Sequence, residues 1–169
     1  MQSTTPTVAS VILSQMAVWG IKNTYGVAGD AIIPLLDALQ QQNAINYYAV
    51  RHESSAAFMA SAEGKCTSRI GVCMGTSGPG LANMMNGIAD ASADHVPMLV
   101  ITGQVTSDKV GTEAKQYIDQ QQLIQPLTVY SSSLLHPDAA PTLINKAIIE
   151  AISKKGVAHL SIPKDVFSL

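Results

Sequence analysis

Residues 45–80 read INYYAVRHESSAAFMASAEGKCTSRIGVCMGTSGPG, and their order decides the fold. The short apolar run at 45–50 has strand character. It gives way at once to Arg51-His52-Glu53, and residues 54–63 continue as an alanine-rich helix. A second apolar run at 70–74 ends in Gly75-Thr76-Ser77-Gly78-Pro79-Gly80. A carboxylate thus stands where one strand yields to a helix, and a glycine-rich loop stands at the end of the next strand. In an open parallel sheet both places lie at the carboxyl ends of strands, where such sheets bind ligands.

Before this stretch, Val8, Val11, Ile12, Leu13, Met16, Ala17 and Trp19 recur at helical spacing, and Gly20 stops the helix. Residues 23–27 read as a short strand. Ala28-Gly29-Asp30 is a turn with Asp30 as helix N-cap. A helix at 32–39 tolerates Pro34 in its first turn, and Gln40-Gln41-Gln42-Asn43 ends it in solvent. After the stretch, residues 80–91 form a helix opened by the glycine loop. The unbroken apolar run at 97–102 predicts a strand buried on both faces. Residues 103–122 are polar and hold a loop and a short helix near 115–124. A strand at 127–131 precedes an amphipathic helix at 141–153, with Leu143, Ile144, Ala147, Ile148 and Ile152 on one side and Gly156 as its cap. A strand at 157–162 comes last. Strands and helices alternate throughout, which predicts an α/β fold, a doubly wound parallel sheet with helices on both faces.

The 169 residues suit one domain. Charged residues are 13% and apolar residues 47%, against roughly 25% charged in an average domain. Either a face covered by another domain or subunit, or a core rich in alanine and glycine, accounts for this. A net charge of −2 gives no sign of a nucleic-acid partner. Cys66 and Cys73 make no disulfide framework, and Cys73 reads as a buried small hydrophobe. Residues 1–6 lack the basic and apolar stretches of a signal peptide, and no apolar run nears the roughly 20 residues of a transmembrane segment. A reduced, cytoplasmic protein is the expectation.

Glu53 is the first candidate for chemistry. At a helix N-terminus a carboxylate is favoured by roughly 0.3–1 kcal/mol, so its place has a structural as well as a chemical reading. His52 beside it reads as a base or as a packing and hydrogen-bonding residue. The loop at 75–80 either brings backbone close to a ligand or makes a tight strand-to-helix turn. It is neither a P-loop nor a dinucleotide fingerprint, and Ser77 is not in a nucleophile elbow. His52, His95, His136 and His159 are scattered without a carboxylate cluster, so no metal site is expected in this segment.

Arg51-His52-Glu53 with Ala56-Ala57, followed by Gly78-Pro79-Gly80, resembles the pyrimidine-binding domain of the thiamine-diphosphate enzymes. The likeness runs from Tyr25-Gly26-Val27-Ala28-Gly29-Asp30 to Gly156-Val157-Ala158. Ile70-Gly71-Val72-Cys73, Asn86-Gly87-Ile88-Ala89-Asp90-Ala91 and His95-Val96-Pro97 are most similar to the pyruvate oxidases, with the acetolactate synthases next. The resemblance implies that residues 1–169 are a single N-terminal pyrimidine-binding domain. It implies that Glu53 hydrogen-bonds a ring nitrogen of the cofactor's aminopyrimidine and favours its imino tautomer, which deprotonates the thiazolium carbon ahead of attack on pyruvate. Gly29, Asp30, Thr76, Ser77, Gly78 and Gly80 would line the cofactor, and Lys115 and Gln116 the substrate side.

The resemblance further implies thiamine diphosphate as cofactor, with magnesium and FAD held by other domains of a full-length enzyme. The diphosphate-binding domain of another subunit would be the partner, in a homo-oligomer. This chain has no Gly-Asp-Gly motif for the diphosphate, since Gly29-Asp30 is followed by Ala31. It has Lys115-Gln116-Tyr117 where pyruvate oxidases often have Phe-Gln-Glu, and Ala28 where proline is usual. A stand-alone assembly or regulatory partner without catalysis is the alternative of a different class.

Overall fold

The computed structural model describes residues 6–169, so the signal-peptide reading falls almost wholly outside the described residues. The chain opens with α1 (Val8–Val18), where Ser10 N–H donates to Thr7 Oγ1 at 3.2 Å as an N-terminal cap. Gly20, at φ +77°, takes the left-handed position past its end. Then come β1 (Asn23–Gly26), a single 3₁₀ turn (Asp30–Ile32), α2 (Ile33–Gln40) and β2 (Asn46–Ala49). The central stretch forms α3 (Glu53–Thr67), β3 (Gly71–Gly75) and α4 (Pro79–Ala93). β4 (Met98–Gln104), α5 (Gln120–Ile124), β5 (Thr128–Ser133), α6 (Ala140–Lys154) and β6 (Val157–Pro163) complete the order.

All six strands are parallel, in the order β2-β1-β3-β4-β6-β5. Side chains alternate between the faces of a sheet, and this divides the core in two. Val72, Met74, Leu99, Ile101, Ala158, Leu160 and Ile162 meet α1, α2 and α6 on one face. Cys73, Met98, Val100 and Val157 meet α3, α4 and Ile124 of α5 on the other. Every residue of β3, β4 and β6 is buried, as strands covered on both faces must be. The expected doubly wound α/β sheet is the fold observed. Cys73 is wholly buried, which pushes its thiol up to about 12 and keeps it protonated, while Cys66 is exposed.

The alanine-rich α3 owes its composition to proximity. Its buried side is Ala56, Ala57, Ala60, Ser61 and Gly64. A Cβ on Gly71 of β3 would stand 1.9 Å from the Ala60 carbonyl oxygen, and one on Gly87 of α4 would stand 2.5 Å from Ala57 Cβ. Small residues on both partners let α3 lie against strand and helix at backbone distance.

Four local expectations are corrected. Asp30 caps nothing: it begins the 3₁₀ turn, Gly29 precedes it as cap residue, and its carboxylate accepts instead from Lys164 Nζ at 2.6 Å. The helix expected near 115–124 is only Gln120–Ile124, because Gln116 sits at φ +68°, outside helical geometry. Ile152 is 43% exposed, since the buried stripe of α6 follows Ile144, Ala147, Ile148 and Ala151, and Ile152 lies beyond its margin. The left-handed cap of α6 is Lys155, while Gly156 is glycine because a Cβ there would stand 2.5 Å from Val129 Cγ1. Among the described residues no helix is long and apolar enough to cross a membrane.

Candidate functional site

Parallel strands bring all their carboxyl ends to one edge. The candidate residues fan across that edge over β2, β1, β3 and β4, which are neighbours in that order. Glu53 follows β2 as the first residue of α3. His52 is the cap: Ser54 N–H donates to its Nδ1 at 3.2 Å, and the Ser54 hydroxyl lies 2.7 Å from the same nitrogen. Its Nδ1 thereby caps the N-terminus of α3. The half-buried Glu53 carboxylate accepts from Asn83 Nδ2 of α4 at 3.0 Å through Oε2. No hydrogen-bond partner for Oε1 occurs among the described residues.

The turns after β1 and β3 interlock. Ala31 N–H donates to Thr76 Oγ1 at 3.3 Å. A Cβ on Gly29 would stand 2.5 Å from Thr76 Cβ, and one on Gly80 would stand 3.1 Å from Thr76 Cγ2. Gly78 lies at φ +61°, and a Cβ there would stand 2.3 Å from the Gln116 carbonyl oxygen. The glycines of this loop are therefore set by one stretch of chain crossing another. Their spacing in sequence carried no sign of which stretch that would be.

Asp30, Ser77, Lys115 and Gln116 come together around one cleft of about 340 Å³, with Gln104, Lys109 and Lys164. Ser77 is 2% exposed, at the floor beside the N-terminus of α4. Lys164 and Asp30 tie the end of β6 to the turn after β1. Nearby, Ser107 donates through its amide to Asp165 at 2.9 Å. Burial opposes charge on Asp165, but the Ser107 hydroxyl and amide, with local backbone amides, hold its carboxyl below the usual range. Glu53 does not line this cleft; α4, which begins two residues after Ser77, carries the Asn83 that holds Glu53.

Asn83, Gln104 and Lys164 were not legible as site residues. Asn83 lies within α4, three positions past the glycine loop and with nothing in sequence to aim it at Glu53, and Lys164 reaches Asp30 across 134 positions of sequence. Gln104 carried a faint signal, as the polar residue closing an apolar strand. Among the described residues no group of three His, Cys, Asp or Glu side chains gathers to hold a metal ion.

Residues 6–123 match the family model described as thiamine pyrophosphate enzyme, N-terminal TPP binding domain. The chain is similar to protein YdaP of Bacillus subtilis, with 40% identity over 89% of this chain and 26% of that protein. It is similar to an acetolactate synthase large subunit of Cyanidium caldarium, with 36% identity over 94% of this chain and 28% of that protein. A pyruvate oxidase of Lactiplantibacillus plantarum is 34% identical over 94% of this chain and 26% of that protein. The chain thus spans about a quarter of the length of the curated relatives it matches. The last two identities are too close to separate oxidase from synthase.

Proposed function

Because this chain belongs to the thiamine pyrophosphate enzyme family, as its N-terminal TPP-binding domain, we propose that it supplies the aminopyrimidine-activating half of a thiamine diphosphate site. The observation that carries this reading is the pose of Glu53. Its Oε2 is fixed by Asn83, its Oε1 is uncommitted, and it opens α3 at the sheet edge where ligands bind. These features fit the group: a half-buried carboxylate with one free oxygen is equipped to share a proton with a ring nitrogen. Bound there, thiamine diphosphate supplies an electron sink for cleavage beside a carbonyl. Glu53 holds the proton, Asn83 keeps the carboxylate from turning, and the turns at Gly29-Asp30 and Thr76, Ser77, Gly78 and Gly80 shape the wall. Lys115 and Gln116 face the substrate side.

Residues 1–169 act, in this reading, as one N-terminal domain of a longer cytoplasmic homo-oligomer that decarboxylates pyruvate. Magnesium, the diphosphate and FAD fall to other parts of that protein, including the diphosphate-binding domain of another subunit. Oxidative decarboxylation of the pyruvate oxidase type is the first reading, and acetolactate synthesis the second. The second is favoured by relatives named acetolactate synthase at comparable identity. Flavin reduction by pyruvate in the full-length enzyme marks the first, and formation of acetolactate marks the second.

Glu53→Gln tests the role of the carboxylate, because it keeps side-chain size and removes the shared proton. Hydrogen–deuterium exchange at the thiazolium carbon of the cofactor, in the full-length enzyme without pyruvate, should slow by roughly 10²–10⁴-fold. Exchange at the wild-type rate with a lowered melting point would make Glu53 a helix-end residue only.

A further inference from the structure

Residues 105–119 leave the end of β4, pass the cleft and return to α5, without an α-helix or strand. Two glutamines at the neck of this segment reach across it in opposite directions. Gln104, before it, donates through Nε2 to the Ile118 carbonyl at 3.1 Å and accepts from Val105 N–H at 2.9 Å. Gln120, after it, donates through Nε2 to the Gly103 carbonyl at 2.9 Å and accepts from the Thr102 hydroxyl. Both side chains are buried.

The second clasp runs deeper. Thr102 Oγ1 also lies 2.8 Å from His159 Nε2, and His159 Nδ1 lies 2.9 Å from Ser131 Oγ. The polarity of this row is fixed from one end. A carbonyl only accepts, so Gln120 presents its NH₂ to Gly103 and its oxygen to Thr102. Thr102 then spends its proton on Gln120 and must accept from His159, which therefore carries its hydrogen on Nε2. Nδ1 is left to accept from Ser131. Burial keeps this imidazole neutral, down to about pH 3.

We propose that the row Ser131, His159, Thr102 and Gln120, opposed by Gln104, is a clasp that positions residues 105–119 as a preformed wall of the cleft. What it positions is specific: the Gln116 carbonyl against Gly78, and with it the side chains of Lys115 and Gln116. Thr102 and His159 are positioning residues, since they act through Gln120. That this wall serves a substrate rests on the function proposed above; the clasp itself does not.

Thr102→Val and Thr102→Ser test it. Valine keeps the shape and removes the hydroxyl in the middle of the row, while serine keeps the hydroxyl. Loss of one buried hydrogen-bond link should speed amide hydrogen exchange in residues 105–119 by roughly tenfold, with β3 and β6 unchanged and serine restoring protection. Long-range proton–nitrogen spectra should show His159 with its hydrogen on Nε2 in the wild type, and a change of that signal in Thr102→Val. Unchanged exchange at 105–119, or an equal rise across the whole sheet, overturns the clasp. Should Thr102→Val fail to fold, Gln120→Leu cuts the same link from the other side and is read the same way. In the full-length enzyme, Thr102→Val should raise KM for pyruvate with little change in kcat. A loosened segment with unchanged kinetics overturns the positioning role. A wild-type enzyme without any thiamine diphosphate dependence overturns the proposed function instead, and leaves the exchange measurement standing.

Discussion

His159 shows how a single residue ties chemistry to folding. In the unfolded chain an imidazole takes up a proton below about 6.5, while in the folded protein burial delays this until about 3. Between those values the unfolded state binds one proton more than the folded state, so stability falls as pH falls. The contribution is intact above pH 6.5 and is lost progressively toward pH 3, with a slope of about 1.4 kcal/mol per pH unit. His159→Gln removes the titration while offering an amide to both Ser131 and Thr102. Urea unfolding at pH 7, 6 and 5 should show the wild type losing stability more steeply than the variant over this range. Parallel losses would contradict the neutral, buried imidazole. The sequence marked His159 only as one of four scattered histidines, because its partners Ser131 and Thr102 lie 28 and 57 positions away.

At the scale of elements, the pair α3 and α4 carries Glu53 and Asn83, and their separation decides whether those side chains meet. Gly87 sets that separation. A Cβ there would stand 2.6 Å from the Ala57 carbonyl carbon and the Phe58 nitrogen, which are backbone atoms and cannot turn aside. Gly87→Ala should therefore destabilise the domain by about 1–3 kcal/mol, the range for overpacking a core. Urea unfolding checks this; a value within ~0.5 kcal/mol of wild type, as at an uninvolved surface site, would refute the close contact. The existence of these helices was legible, since α4 opens at the Gly78-Pro79 step and the apolar runs on either side mark β3 and β4. Their intimacy was not, because an alanine-rich segment reads alike whether it faces solvent or backbone. The segment 105–119 was the least legible: polar residues without period give no sign that Gln104 and Gln120 clasp its neck. Gly29 was visible as part of a turn, and Gly78 and Gly80 as a ligand approach or a tight turn; the chain segments that crowd them were not.

Over the whole molecule, the low charge of 13% leaves large apolar side chains at the surface. Trp19 and Val18 at the end of α1 are 40% and 79% exposed, and Ile149 and Ile152 of α6 are 49% and 43% exposed. Trp19 Nε1 donates to Asn145 of α6 at 2.6 Å, which holds these groups on neighbouring helices. Exposed apolar patches above a few hundred Å² mark interaction sites. Residues 1–169 alone should associate as concentration rises, and sedimentation velocity across a dilution series reads this directly; one monomeric species throughout would contradict it. The strand order has a separate bearing on synthesis. β1 to β4 are the first four strands made and form the unbroken run β2-β1-β3-β4, so they can zip together as they leave the ribosome. The outer edge of β4 then waits for β6, and β5 has no seat until β6 arrives between them. During that interval β4, buried along its whole length in the finished sheet, displays a bare row of amides and carbonyls, which is a template for strand addition by another chain. Translation that stalls before residue 157 leaves that edge of β4 open on the nascent protein.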